Sequence, residues 1–273
     1  MSRFSECFLL LFGQLAVGGL IGLAVPPFTV LDRGFYRSSA GIFLGFALLF
    51  VAGKITLVVR AGTLMPADIV ELTCWISFTV ALGVYFLSLW RDSNALRARA
   101  FLVGLVSGLL ALIVSAASYR LGPLLAPATV LYPLAFVTAA LSLGAVATGM
   151  LLGHWYLIDL GLSIEPLQRI FRWFMLAVIL QLAVGALTIV VVSTTSADGA
   201  AAVSTLWNEH RALFATRLIL GPVATLAIGY LIHRTLAIPQ TMAATGLFYV
   251  AILAVMIGEV LGRLILFRTS LPL

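Results

Sequence analysis

The sequence predicts an all-α fold, a polytopic membrane protein built as a bundle of about eight transmembrane helices. Two observations carry that expectation. Of 273 residues, 62% are apolar and only 10% are charged, whereas a soluble domain carries about 25% charged residues. The apolar residues also fall into eight runs, at 8–30, 39–63, 69–90, 99–119, 128–152, 171–193, 212–233 and 244–267. Each is long enough to cross about 30 Å of hydrocarbon at about 1.5 Å per helical residue. Backbone groups in lipid must be paired within their own segment, and none of the runs alternates like a barrel strand, so helices are the expected form.

Taken in order, the first run is too long for a cleavable signal peptide. Its flank holds Arg3 and Glu6, and no small-residue cleavage site precedes Pro26-Pro27. The second, third and fourth runs follow through short polar loops. The fifth has the least defined start, because Pro123, Pro127 and Pro133 interrupt it. The longest connection, 194–211, is polar and Ala-rich and could form a short surface helix. No internal repeat and no linker divides the chain, so residues 1–273 are expected to form one transmembrane domain.

Eight crossings bring both ends of the chain to one side. The connections on the other side, with their flanks, hold Arg33, Arg37, Arg91, Arg97, Arg99, Arg169, Arg172 and Arg234. The terminal side holds Arg3, Arg60, Arg120, Arg211 and Arg268. The excess of Arg in the connections predicts termini outside, by the positive-inside rule. The expected location is the bacterial inner membrane. The net charge of +6 fits such topology signals and forms no basic stripe for nucleic acid.

Ionisable groups within spans cost several kcal/mol unless paired or hydrated. Once the antiparallel directions are tracked, Gln14, Lys54, Glu71, Arg217, Glu259 and Arg263 all map to the terminal-side leaflet. Both signs are present, so these residues can pair; Glu259 and Arg263, four apart, can pair along one helix. One reading is internal salt bridges and snorkelling groups, with Arg60, Glu71 and Arg217 near the interface. The other is a ligand site at the membrane boundary, centred on the deeper Gln14, Lys54 and Glu259. A quinone headgroup suits such a place, since its two oxygens need donors and its redox chemistry moves protons.

The three histidines, His154, His210 and His233, offer no pair at one depth inside the bundle, so a bis-histidine haem is not expected. Cys7 and Cys74 have no paired spacing, and no iron–sulfur cluster is expected in this chain. No nucleotide-binding loop, nucleophile elbow or HExxH segment occurs. Gly18-Gly19, Gly41 with Gly45, and Gly258 with Gly262 are small residues at helical spacing, which predicts close helix packing.

The opening Phe12-Gly13-Gln14 with Gly18-Gly19, and the closing Gly258-Glu259-Val260-Leu261-Gly262-Arg263 with Phe267, resemble the membrane anchor subunit of dimethyl-sulfoxide-reductase-type complexes. Arg217 at the start of the seventh span adds to the likeness. The resemblance touches the first helix and the last two. It implies eight helices, termini on the outer side and no haem. It also implies oxidation of menaquinol, with electrons passed to an iron–sulfur subunit that feeds a molybdopterin catalytic subunit. The chain departs from the family at the end of the second span. There the family carries a His followed by Leu-Gly-Ser-Pro, and this chain has Lys54, Arg60 and Gly62 instead. Lys54 and Glu71 are the groups available to substitute.

The expected function is therefore a membrane anchor and quinone-interacting subunit of a respiratory oxidoreductase, handling menaquinone or ubiquinone beside an extrinsic iron–sulfur partner and a catalytic subunit. A structural scaffold subunit, with the charges as inter-subunit pairs, and a small transporter coupled through Lys54 and Glu259 are the alternatives.

Overall fold

The computed structural model describes residues 2–63, 65–121, 126–159, 161–238 and 240–273; of residues 2, 3, 127 and 128 only the backbone is described. Pro123 and the Arg3 side chain, both used above, lie outside this set. Eight spans, each long and apolar enough to cross a membrane, make up the described chain. The protein is an all-α integral membrane bundle.

Helix α1 covers Ser2–Gly22 and stops well short of residue 30. Pro26 and Pro27 account for the early stop: proline lacks the N–H a helix needs and forces the residue before it out of helical geometry. Helix α2, Arg33–Ala61, begins where the Asp32 carboxylate accepts from the Gly34 N–H at 2.6 Å, and ends at Gly62 with φ +67°. Only a residue without Cβ takes that left-handed turn at little cost. Pro66 opens α3 (Pro66–Ser88) in the first turn, where its missing N–H costs nothing. Ser93 caps α4 (Asn94–Ala117) by accepting from Leu96 N–H.

Helix α5, Pro127–Trp155, tolerates Pro133 in its interior and is the most enclosed span. Helix α6, Glu165–Thr195, leads into α7, Ala197–Asn208, the short helix expected in the longest connection. The seventh span is composite. An α8 segment (Arg211–Leu218) and an α9 segment (Ala224–Ala237) are joined by a π turn at Ile219–Val223, with Pro222 inside it. Proline cannot donate to the preceding turn, and one wider turn absorbs the break. Helix α10 runs Thr241–Thr269.

The centre of the bundle is α5, which packs against α1, α2, α4, α6 and α10. Small residues set the closest approach. A Cβ on Gly18 would stand 1.7 Å from the Ala140 carbonyl oxygen of α5, so α1 and α5 touch backbone to backbone. Gly258 of α10 meets the π turn in the same way, with its would-be Cβ 2.6 Å from Gly221 Cα. The Gly41–Gly45 expectation holds only in part. Gly41 faces Phe86, but nothing lies within 4 Å of a Cβ at Gly45, which points into open space.

Three arginines of the connection side hold its loops. Arg37 donates to the Leu89 carbonyl and lies 5.0 Å from the Trp90 ring. Arg97 sits buried 4.3 Å from the Phe28 ring, and Arg33 pairs with Asp92 at 2.6 Å.

Candidate functional site

The polar residues of the terminal-side leaflet fold into two separate clusters. The first joins α2, α3 and α4. Lys54, approaching from α2, places Nζ 2.7 Å from Glu71 Oε2 on α3 and 3.7 Å from Asp68 Oδ1. Glu71 is buried, and its other oxygen accepts from the Ser115 hydroxyl of α4 at 2.5 Å. Ser115 in turn accepts from the Trp75 indole N–H at 2.9 Å. Every oxygen of the Glu71 carboxylate is thus engaged, which is what makes a buried charge tolerable. A cavity of about 210 Å3 adjoins this cluster, lined by Glu6, Lys54, Asp68, Glu71 and Tyr119 among others. Tyr119 lies in the loop after α4, where burial, with the Glu71 and Glu6 carboxylates, pushes its hydroxyl well above the usual phenol range. It stays an O–H donor at physiological pH.

The second cluster joins α6, α8 and α10. Glu259 Oε2 accepts from Arg263 Nη2 at 3.1 Å, one helical turn away, as their spacing predicts. Glu259 Oε1 accepts from the Gln181 amide of α6 and lies 3.8 Å from Arg217 Nη2 of α8. All three charged groups are at least nine-tenths buried: Glu259 3%, Arg217 7% and Arg263 1% exposed. Two cations therefore face one anion. Arg217 Nε, Arg263 Nε and Arg263 Nη1 are buried with no hydrogen-bond partner among the described residues. The Arg263 guanidinium instead lies over the Phe136 ring, 4.5 Å from its centroid.

Beside this cluster a cleft of about 250 Å3 opens between α6 and the α8–π–α9 span. Leu182, Gly185 and Ile189 form its α6 wall, Gly221 and Pro222 its opposite wall, and Val255 and Gly258 its floor. Its polar groups are few: Gln181, Arg217, Glu259 and Thr225. An apolar cleft with a small set of convergent polar groups is the usual form of a small-molecule site. The π turn builds it, because Pro222 widens the seventh span at the level of Glu259.

The six residues expected at one boundary site thus divide. Lys54 and Glu71 form one pair, while Arg217, Glu259 and Arg263 form the other cluster. Gln14 is fully buried on α1, where its amide donates to the Phe136 carbonyl at 3.3 Å and its Oε1 has no partner among the described residues. It flanks the aromatic shelf under Arg263 and is not part of the cleft wall. The Phe136 ring also stacks on Tyr119 at 6.0 Å, so an aromatic bridge links the two clusters. Arg60 is exposed at the end of α2, as a snorkelling residue would be. Sequence reasoning overlooked Gln181, whose signal was present: a lone amide amid the apolar middle of the sixth span. Asp68 and Ser115 were also missed, since neither is unusual at a span end or on a helix face.

The histidines are peripheral. His154 is exposed near Tyr249, and His233 is exposed and stacked on Phe171. Cys7 and Cys74 are both free, and among the described residues no group of three His, Cys, Asp or Glu could hold a metal ion.

Fold and site together define a class: an eight-span α-helical membrane protein with a charged, apolar-walled cleft in one leaflet. Comparison with models of protein families, with curated proteins and with solved structures found no match to this chain.

Proposed function

We propose that this chain is the quinone-interacting membrane subunit of a respiratory oxidoreductase, seated in a bacterial inner membrane with both termini outside. The observation that carries the reading is the cleft between α6 and the seventh span. It offers apolar walls for a flat ring and donors for a ring oxygen from Arg217 and Gln181. Gln181 and Arg217 would hold the headgroup, and Glu259 would hold the two donors in place. The Lys54–Glu71 pair, satisfied internally, takes a structural role in this reading. The chain has only two cysteines, spaced without pairing, so electrons would leave through an extrinsic iron–sulfur partner, with a catalytic subunit of the molybdopterin type beyond it.

The test is purification from the native membrane in mild detergent, followed by subunit identification and quinone extraction. Copurifying quinone with an iron–sulfur partner is the expected result. A Gly185→Leu variant should then lose the quinone while keeping its partners, because Gly185 borders the cleft with nothing within 4 Å of its would-be Cβ. Partners without quinone would leave a scaffold, and a lone chain without quinone would overturn the redox reading altogether.

A further inference from the structure

We propose that a second pocket, between α6 and α9 at the connection-side rim, seats the phosphate of an anionic phospholipid. It lies toward the opposite end of the seventh span from the cleft and does not depend on the quinone reading. Its volume is about 260 Å3, and its walls include Gln168, Phe171 and Arg172 of α6 with His233 and Ala237 of α9. Arg172 opens the sixth apolar run and His233 closes the seventh, so both stand where hydrocarbon gives way to headgroups. About one turn deeper the two helices close up, since a Cβ on Gly229 would stand 2.5 Å from Met175 Sδ. Arg172, His233 and Ala237 are exposed, so the pocket opens at the lipid boundary and is shut at its inner end.

The donors in the pocket point to a phosphate. Arg172 donates through Nε to the Gln168 carbonyl of its own helix at 3.4 Å, and among the described residues no carboxylate lies within 4 Å of its guanidinium. The other charged groups of the surrounding elements are occupied or distant. Glu165 and Arg169 pair at 2.8 Å, and Asp159 accepts from the Gly161 N–H in the connection before α6. Arg234 lies 3.2 Å from the Tyr230 hydroxyl, His154 at the end of α5 faces Tyr249, and α10 carries no charge before Glu259. Arg172 and Arg234 are thus the two arginines of this corner without a carboxylate, and Arg172 is the one that lines the pocket. His233, its ring stacked 6.2 Å from Phe171, adds an N–H from the facing helix. A guanidinium and an imidazole converging from two helices suit an oxyanion. The exposed Leu176, Ile179 and Leu180 continue the Arg172 face of α6 into the hydrocarbon, and Tyr230 does so beneath His233. Those faces suit acyl chains, so the phosphate is assigned to a lipid, in the manner of basic pockets between spans.

The test is native mass spectrometry of the full chain, with any partners that copurify. The protein is delipidated in detergent and titrated with phosphatidylglycerol or with phosphatidylcholine of the same acyl chains. The first phosphatidylglycerol should bind about tenfold more tightly than the first phosphatidylcholine. Arg172→Gln should bring the two affinities together, and Ala237→Phe, which fills the pocket without altering its charge, should do the same. Arg91→Gln removes an exposed arginine of the same rim that does not line the pocket, and should leave the preference unchanged. Equal affinities in the unaltered protein would overturn the proposal, as would a preference that survives both pocket variants. A loss in Arg91→Gln equal to that in Arg172→Gln would overturn it in favour of diffuse attraction to the rim. Displacement of phosphatidylglycerol by millimolar inorganic phosphate would overturn it in favour of a soluble anion.

Discussion

The Lys54 ammonium lies 2.7 Å from the Glu71 carboxylate and ties α2 to α3 at the terminal end of the bundle. Glu71 is buried, whereas the Lys54 side chain keeps 22% of its exposure. Lys54→Met should leave Glu71 with Ser115 as its only close partner, at a cost of about 3 kcal/mol, near the low end for breaking a buried pair. Lys54→Met with Glu71→Met should recover much of that loss, because no charge then stays buried alone. Unfolding of the two single variants and the double variant in detergent provides the cycle; strictly additive losses would show that the pair is uncoupled.

The Glu259 carboxylate stands between Arg217 and Arg263 and pairs with both. Glu259→Gln should depress quinol-coupled turnover at least about tenfold per assembled complex, since it leaves two buried cations without a counter-charge. Gln181→Met removes one neutral donor to the buried Glu259 carboxylate and should cost about 2 kcal/mol of stability. Turnover that is unchanged in an assembled Glu259→Gln complex would remove Glu259 from the reaction.

Glycine contacts predict an opposed pair of alanine variants. Gly18→Ala drives a methyl into the Ala140 carbonyl and must push α1 away from α5, costing about 3 kcal/mol or more. Gly45→Ala meets nothing and should be neutral or mildly stabilising through helix propensity. Comparing the yield and melting temperature of the two variants tests whether the α1–α5 contact organises the fold.

At the opposite rim, the Arg33 hydrogen bond and charge hold the Asp92 carboxyl below its ordinary value of 3.8. A depressed carboxylate adds stability above its unfolded pKa and loses it as pH falls through the lower, folded value. The α2–α4 rim should therefore loosen only below the ordinary carboxylate range, and by little, because Asp92 is fully solvated. Asp92→Asn should flatten that part of the stability profile; an identical acid limb in both proteins would show that the pair contributes nothing.

Much of this architecture is legible along the chain. The runs around 39–63, 69–90, 99–119 and 244–267 lie within or close to helices of the structure, because apolar length is a local property. The first run misleads past Gly22, since hydropathy does not register that Pro26-Pro27 end a helix. The Glu259–Arg263 pair is legible because both partners share one helix and its period. The Gln181–Glu259 contact is not, because it joins residues 78 positions apart across two helices.

By itself, the sequence determined the membrane class, the eight spans, and which polar residues, among them Lys54, Glu71, Arg217, Glu259 and Arg263, lie within them. Composition, run length and chain direction suffice for each of these. Tertiary structure alone decided that the charges part into two clusters, that Arg217 borders a cleft, and that a π turn with Pro222 inside it forms one wall of that cleft. In lipid every face of an apolar helix is nearly equivalent, so hydropathy does not say which face turns inward or which helix it meets. Small-residue contacts such as Gly18 on Ala140 and Gly258 on Gly221 settle that, and with it which buried charges find each other.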